Sequence, residues 1–246
     1  MPNRVNVDQL LIDLINAAAA AGFEVHTYGQ IENWPLYGFI RRGMSNNPQQ
    51  IYLSTGIHGD EPAGPLALLE LLQDDTLSRI HDIILCPAMN PSGLTANTRE
   101  DANGIDLNRD YTNFNSHETV THRDWCHQHI QTLDLALHLH EDWEAKGFYL
   151  YELNFENHPS HSPAILKAVA QHIAIETSIL IDNHPAHGGI IRHETIPDIP
   201  EGLPEAIYFH KHFGGINHTF ETPSNFAIEK RVAALKAAVL AAMDTP

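Results

Sequence analysis

Apolar positions mark out the elements of this chain before any chemistry enters. Val7, Leu10, Leu11, Leu14, Ile15 and Ala18 recur at helical spacing behind a capping pair, Asn6 and Gln9, so the chain opens with an amphipathic helix that Gly22 ends. Short β-prone runs follow at 23–28, 36–41 and 50–54, then a buried helix over 66–72 and another strand at 83–86. Residues 90–115 read as a polar loop rich in Asn and Asp. Beyond it the pattern predicts a helix over 117–132, strands over 133–140 and 147–153, and a helix over 163–178. Glycine and proline punctuate 182–202 around one short apolar run at 189–192. A strand over 216–222 then feeds a final helix over 225–243. The alternation predicts an α/β fold: three αβα layers around a mixed, mostly parallel central sheet.

Composition narrows the picture. At 246 residues, with no linker or internal repeat, one domain over 1–246 is expected. Fourteen basic against 31 acidic residues give a formal charge of −17, which repels phosphate backbones and anionic lipid. The expected partner is therefore a small molecule, not nucleic acid or a membrane; oligomeric state is left open. Cys86 and Cys126 are expected to be reduced thiols, because no disulfide framework is visible. The alanines at 17–21 resemble a signal-peptidase site, but Asn6, Asp8 and Asp13 interrupt any apolar core ahead of them. The apolar run at 233–243 carries Lys236 and is shorter than the roughly 18 residues a spanning helix needs. A cytoplasmic location is expected.

The candidate chemistry starts at Gly56-Ile57-His58-Gly59-Asp60-Glu61-Pro62. An imidazole and a carboxylate three apart, on a turn between a strand and a helix, sit where open α/β sheets place ligand sites and can grip one metal ion. With 18 histidines in the chain the pair alone is weak evidence, and the later segments give it weight. The loop from Asn90-Pro91-Ser92-Gly93 through Arg99 to Asn103-Gly104-Ile105-Asp106-Leu107-Asn108-Arg109 carries two arginines. Arg109 beside Asn108 suits a substrate's terminal carboxylate, and Arg99 suits a carbonyl oxygen that becomes negative during attack. His138 and His140 alternate onto one face of a strand. His140, last in the strand and followed by Glu141-Asp142, is the favoured ligand, leaving His138 as its supporting partner or a satisfied core residue. Glu221, in Thr219-Phe220-Glu221-Thr222-Pro223, reads either as a helix-start residue or as a general base whose pKa is raised by burial.

Together these segments resemble the zinc carboxypeptidases, the M14 metallopeptidases, in the family's order across residues 56–222. The resemblance implies a zinc carboxypeptidase or phosphorylase/hydrolase-like fold. It implies that His58, Glu61 and His140 hold one zinc ion, that Arg99 polarises the scissile carbonyl, that Asn108 and Arg109 grip the free carboxylate, and that Glu221 activates water. The short chain is more similar to compact bacterial members such as murein tripeptide amidases, or to the succinylglutamate desuccinylase and aspartoacylase branch. The expected activity is hydrolysis of an amide next to a free carboxylate on a small peptide or peptide-like substrate; the alternative is an N-acyl amino acid deacylase. Tyr208 is the candidate for the family's substrate-capping tyrosine. His184 and His187 are read as a polar loop, with a second metal site or a place in the pocket as alternatives. The histidines would also take up nickel or copper. A non-catalytic metal-storage protein on a retired hydrolase fold is the reading from another class.

Overall fold

A computed structural model describes residues 4–156, 158–197, 199 and 202–244. The single-domain expectation over 1–246 also reaches positions 1–3, 157 and 245–246, and the punctuated stretch reaches 198, 200 and 201; these lie outside the described residues. The strands are β1 Glu24–Ile31, β2 Trp34–Arg41, β3 Gln50–Thr55, β4 Asp82–Cys86, β5 Leu135–Asp142, β6 Tyr149–Leu153, β7 Leu180–Ile181, β8 His184–His187, β9 Ile190–Arg192 and β10 Ile216–Pro223. They form one sheet in the order β1-β2-β4-β3-β5-β10-β6-β9-β8-β7. The central run β4-β3-β5-β10 is parallel. Antiparallel pairs flank it on both sides, so the parallel character lies in the middle of a mixed sheet.

Helices α1 Val7–Ala20, α2 Ala63–Gln73, α3 Pro91–Ala96, α4 His117–His129, α5 Ser162–Val169, α6 Glu205–Phe213 and α7 Ile228–Met243 connect them. The period of two along each strand sorts side chains into two layers. Ile51, Leu53, Ile83, Leu85, Leu135, Leu137 and Leu139 face one core, shared with α1, α2, α5 and α7. Tyr52, Ile84, Cys86 and Ala136 face the other, shared with Trp125 and Cys126 of α4 and with Tyr208, Phe209 and Phe213 of α6.

Three differences from the sequence expectation have physical causes. The polar loop contains α3, which Asn90 caps by accepting from the Gly93 N–H at 2.8 Å, with Pro91 in the first turn. The helix expected over 163–178 ends at Val169, and Ile175 instead bridges to Phe148 beside the sheet. Helix α6 went unforeseen because Ala206, Ile207, Tyr208 and Phe209 are consecutive apolar residues with no helical period, and all four are buried. Among the described residues no helix is long and apolar enough to cross a membrane.

The parallel centre brings the carboxyl ends of β3, β5 and β10 to one edge. Gly56, in the left-handed region at φ +66°, turns the chain out of β3. Gly59 lets the α3 loop dock on that turn, since a Cβ there would lie 1.9 Å from the Gly93 carbonyl carbon. Glu141 fastens the end of β5: it accepts the Ala63 N–H of α2 at 2.7 Å and forms an ion pair with Arg231 of α7, both side chains being sealed from solvent. Removing Arg231 strands a buried carboxylate. Arg231→Met is therefore expected to lower unfolding free energy by about 3–5 kcal/mol in urea denaturation; a loss well below that range would mean the pair does not anchor α7.

Candidate active site

His58 and Glu61 leave the β3–α2 turn and meet His140 from the end of β5; all three are at most 5 % exposed. Glu61 Oε1 lies 2.6 Å from His58 Nδ1, Glu61 Oε2 lies 2.9 Å from His140 Nδ1, and the two Nδ1 atoms are 3.2 Å apart. Three donor atoms this close inside the protein form a candidate ligand set: two imidazoles and a carboxylate could hold a metal ion such as zinc with a coordination position left over. Burial lowers the His58 pKa, but the carboxylates of Glu61 and Asp106 outweigh it and raise it to about 9. Burial likewise raises the Glu61 carboxyl, and His58 and His140 overturn that and hold it far below the ordinary carboxylate range.

Asp106, inside the run from Asn103 to Arg109, is the hub beneath this set. Its carboxylate lies 3.3 Å from His58 Nε2, accepts from Arg99 Nε at 2.9 Å and caps the turn Leu107–Arg109 by accepting the Asn108 N–H at 2.9 Å. The signal was present: an Asp two places before Asn-Arg on a rigid turn orients a histidine whose other nitrogen binds metal. Arg99 Nη1 stands 3.3 Å from His58 Nδ1 and 3.8 Å from Glu61 Oε1, beside the ligand set.

These residues open onto a cavity of about 570 Å³ that also includes Asn108, Arg109, Tyr149, Tyr151, Asp182 and Glu221. Glu221 on β10 is in register with His140 on β5 and with Tyr149 on β6, so strand pairing itself sets it beside the ligand set. Burial, reinforced by Glu61, Asp142 and Asp182, raises its pKa well above the ordinary carboxylate value. Asn108 turns its Oδ1 toward the Glu205 N–H at 2.9 Å, which fixes the amide at the cavity wall.

One expected residue falls elsewhere. Tyr208 lies outside the cavity lining: its ring packs against Tyr111, Phe114 and His212, and its hydroxyl bonds to His127 Nε2 at 2.8 Å. The α6 helix, whose existence the sequence pattern hid, turns it into the core and presents Ala206 and Ile207 to the cavity instead. His184 and His187 form strand β8, not a loop, and His184 joins His193 at the cavity while His187 is exposed. His138 is a satisfied core residue, 3.0 Å from Ser54 Oγ and 3.1 Å from Glu205 Oε2. Glu205 left no sequence signal, being fully buried on the unforeseen helix.

The catalytic-domain family of succinylglutamate desuccinylase and aspartoacylase matches residues 47–198, more than half of the chain, and the protein belongs to that family. The match spans His58, Glu61, Arg99, Asn108, Arg109 and His140 and stops short of Glu221. Among solved structures, a candidate metallopeptidase of Shewanella denitrificans OS217 is similar at 23 % identity over 95 % of this chain and 88 % of that one, with a TM-score of 0.82. A metallo-carboxypeptidase of Burkholderia cenocepacia is similar at 20 % identity over 96 % of this chain and 67 % of that one, with a TM-score of 0.70. A Pseudomonas aeruginosa metallo-carboxypeptidase, in complex with (2-guanidinoethylmercapto)succinic acid, has 18 % identity over 95 % and 67 %, with a TM-score of 0.66. At such identities the likeness is one of fold. No curated protein matches the sequence. Family and fold together place the chain among the hydrolases of this superfamily.

A metal entering this site displaces the His58 proton. Zinc affinity is expected to rise about tenfold per pH unit as pH climbs toward 9, with one proton released per ion, measurable by calorimetry in buffers of different ionisation enthalpy; a pH-independent affinity would contradict this. Asp106→Asn is expected to weaken zinc binding about 10–100-fold, and unchanged affinity would remove Asp106 from the site.

Proposed function

We propose that the protein is a zinc-dependent metallocarboxypeptidase or amidase, cleaving an amide bond next to a free carboxylate on a small peptide or peptide-like substrate. The observation that carries this reading is the convergence of His58, Glu61 and His140 at the cavity, with Glu221 paired in register beside them. One zinc held by those three residues lowers the pKa of water to about 7 and polarises a carbonyl oxygen. Glu221 takes the proton from the attacking water and returns it to the leaving nitrogen. Its raised proton affinity, owed first to burial, fits both transfers. Arg99 faces the oxygen that becomes negative, held in orientation by Asp106. Asn108 and Arg109 bind the free carboxylate, Arg109 with its Nη1 braced on the Asn108 carbonyl at 2.8 Å. The setting is cytoplasmic, with neither nucleic acid nor membrane as partner, a reading supported by the charge of −17.

The cavity's charge narrows the substrate. Asp60, Asp142, Glu144 and Asp182 line it against two arginines, one already bound to Asp106. Such a wall accepts one carboxylate at Arg109 and disfavours a second, while an ammonium or guanidinium elsewhere on the substrate is favoured. Asp142 and Asp182 are held by the hydroxyls of Tyr149 and Tyr151, which aim them at the cavity.

The family match favours a second reading, an N-acyl amino acid deacylase, in which the same groups release a short acyl chain. The acidic wall weighs against a succinyl carboxylate, so the first reading leads. A side-by-side assay of zinc-loaded protein on basic and neutral dipeptides and on N-acetyl and N-succinyl amino acids separates them. Dipeptide cleavage with a preference for lysine or arginine is expected; turnover of the acyl amino acids alone would reverse the order. Glu221→Gln is expected to keep its zinc and lose about a hundredfold or more in kcat, and an unchanged rate would remove the base. Arg109→Ala is expected to raise KM by about 10–100-fold, whereas a loss confined to kcat would place Arg109 at the reacting centre.

A further inference from the structure

A second cluster of donor atoms lies in the core behind the active site, on the face of the sheet that α4 and α6 cover. Cys86 ends β4 and Tyr52 sits mid-strand on the neighbouring β3, both pointing to that face by the strand alternation. His122 and Cys126 are four apart on α4, one turn of helix, and so share the surface turned to the sheet. The ligand atoms of Cys86, His122 and Cys126 all lie within 4.8 Å of one another, and none of the four residues has measurable exposure. Cys126 Sγ is 3.3 Å and Tyr52 Oη 2.8 Å from His122 Nε2.

We propose that Cys86, His122, Cys126 and Tyr52 form a closed structural zinc site, separate from the hydrolytic one. Around tetrahedral zinc, bonds of about 2.0 Å to nitrogen and 2.3 Å to sulfur put the ligand atoms about 3.3–3.8 Å apart, so small side-chain shifts seat the ion. The groups behind the ligands are already arranged for it. His122 Nε2 donates to Tyr52 Oη at 2.8 Å, and zinc would take the place of that proton as the imidazole shifts it to Nδ1, which bonds to the Tyr111 hydroxyl at 2.7 Å. Tyr52 donates its own proton to Glu205 Oε1 at 2.7 Å, so its oxygen offers a lone pair toward His122 Nε2. The charges balance: two thiols each lose a proton to solvent, and two thiolates neutralise Zn²⁺ in an interior that would penalise any net charge. Copper(I) with the same thiolates would leave one negative charge buried, which favours zinc.

The consequence reaches the active site without chemistry of its own. The ion would tie β3, β4 and α4 together, and through Tyr52 it steadies Glu205, whose backbone N–H holds Asn108.

Metal content and cobalt spectroscopy test the proposal independently of hydrolysis. Protein purified from zinc-replete medium is expected to carry two zinc ions per chain. His58→Ala/His140→Ala should retain one, and after cobalt exchange that variant should show an intense near-ultraviolet sulfur-to-cobalt charge-transfer band. Cys86→Ala/Cys126→Ala should keep one ion and lack the band. If the cysteine variant does not fold, the histidine variant and the wild-type stoichiometry decide alone. A histidine variant without zinc and without the band would overturn the site, as would a Cys86–Cys126 disulfide in the intact mass of native protein.

Discussion

A carboxylate buried between two imidazoles is the constraint around which the rest of the molecule is arranged. Glu61 cannot stay ionised in the interior without a cation, since the desolvation of one such group costs several kcal/mol even after relaxation. Protonated His58 provides the counter-charge, and a divalent metal would satisfy all three donors at once. The next ring of charge serves the same end: Asp106 faces His58, Arg99 faces Asp106, and Arg231 neutralises the Glu141 that follows His140. The partners come from the β3–α2 turn, the loop after α3, the end of β5 and α7, so the site and the tertiary fold stand or fall together.

The sheet makes this convergence possible. Parallel strands at the centre send β3, β5 and β10 to a common edge, and the pairing of Glu221 with His140 fixes that carboxyl group next to the cluster of His58, Glu61 and His140. A loop of irregular backbone closes over that edge, and it is seated through two glycines: Gly59 admits Gly93 at backbone contact, and Asn90 stitches the loop to the turn through the carbonyls of Ile57 and Arg99. The two cores on either side of the sheet then do different work. One is built of aliphatic side chains with Phe23, Phe39, Phe148 and Phe220, and the other, beneath α4 and α6, carries the buried network of Tyr52, Ser54, His138 and Glu205, which reaches Asn108 at the cavity wall.

What the sequence revealed follows from how local each signal is. Strands β1 to β6 and β10 and helices α1, α2, α4 and α7 announced themselves through period and capping, and His58, Glu61, Arg99, Asn108 and Arg109 through short motifs on turns. His140 was favoured over His138 by its place at a strand end, a local argument, and the structure sends His138 into the core network instead. Tyr208 and Glu205 could not be read, because both depend on α6, whose consecutive apolar residues have no helical period. The acidic wall was equally hidden: Asp142 ends β5, Tyr151 lies on β6 and Asp182 lies between β7 and β8, and only the sheet order β5-β10-β6-β9-β8-β7 brings them to one cavity. The relation of Cys86 to Cys126 is likewise tertiary, a strand facing a helix.

Anomalous diffraction at the zinc edge, from crystals of the zinc-loaded protein, tests the central claim most directly. The account predicts a peak bonded at about 2.0–2.2 Å to His58 Nδ1, His140 Nδ1 and a Glu61 oxygen. A protein that takes up zinc yet shows no density between those three side chains would contradict it.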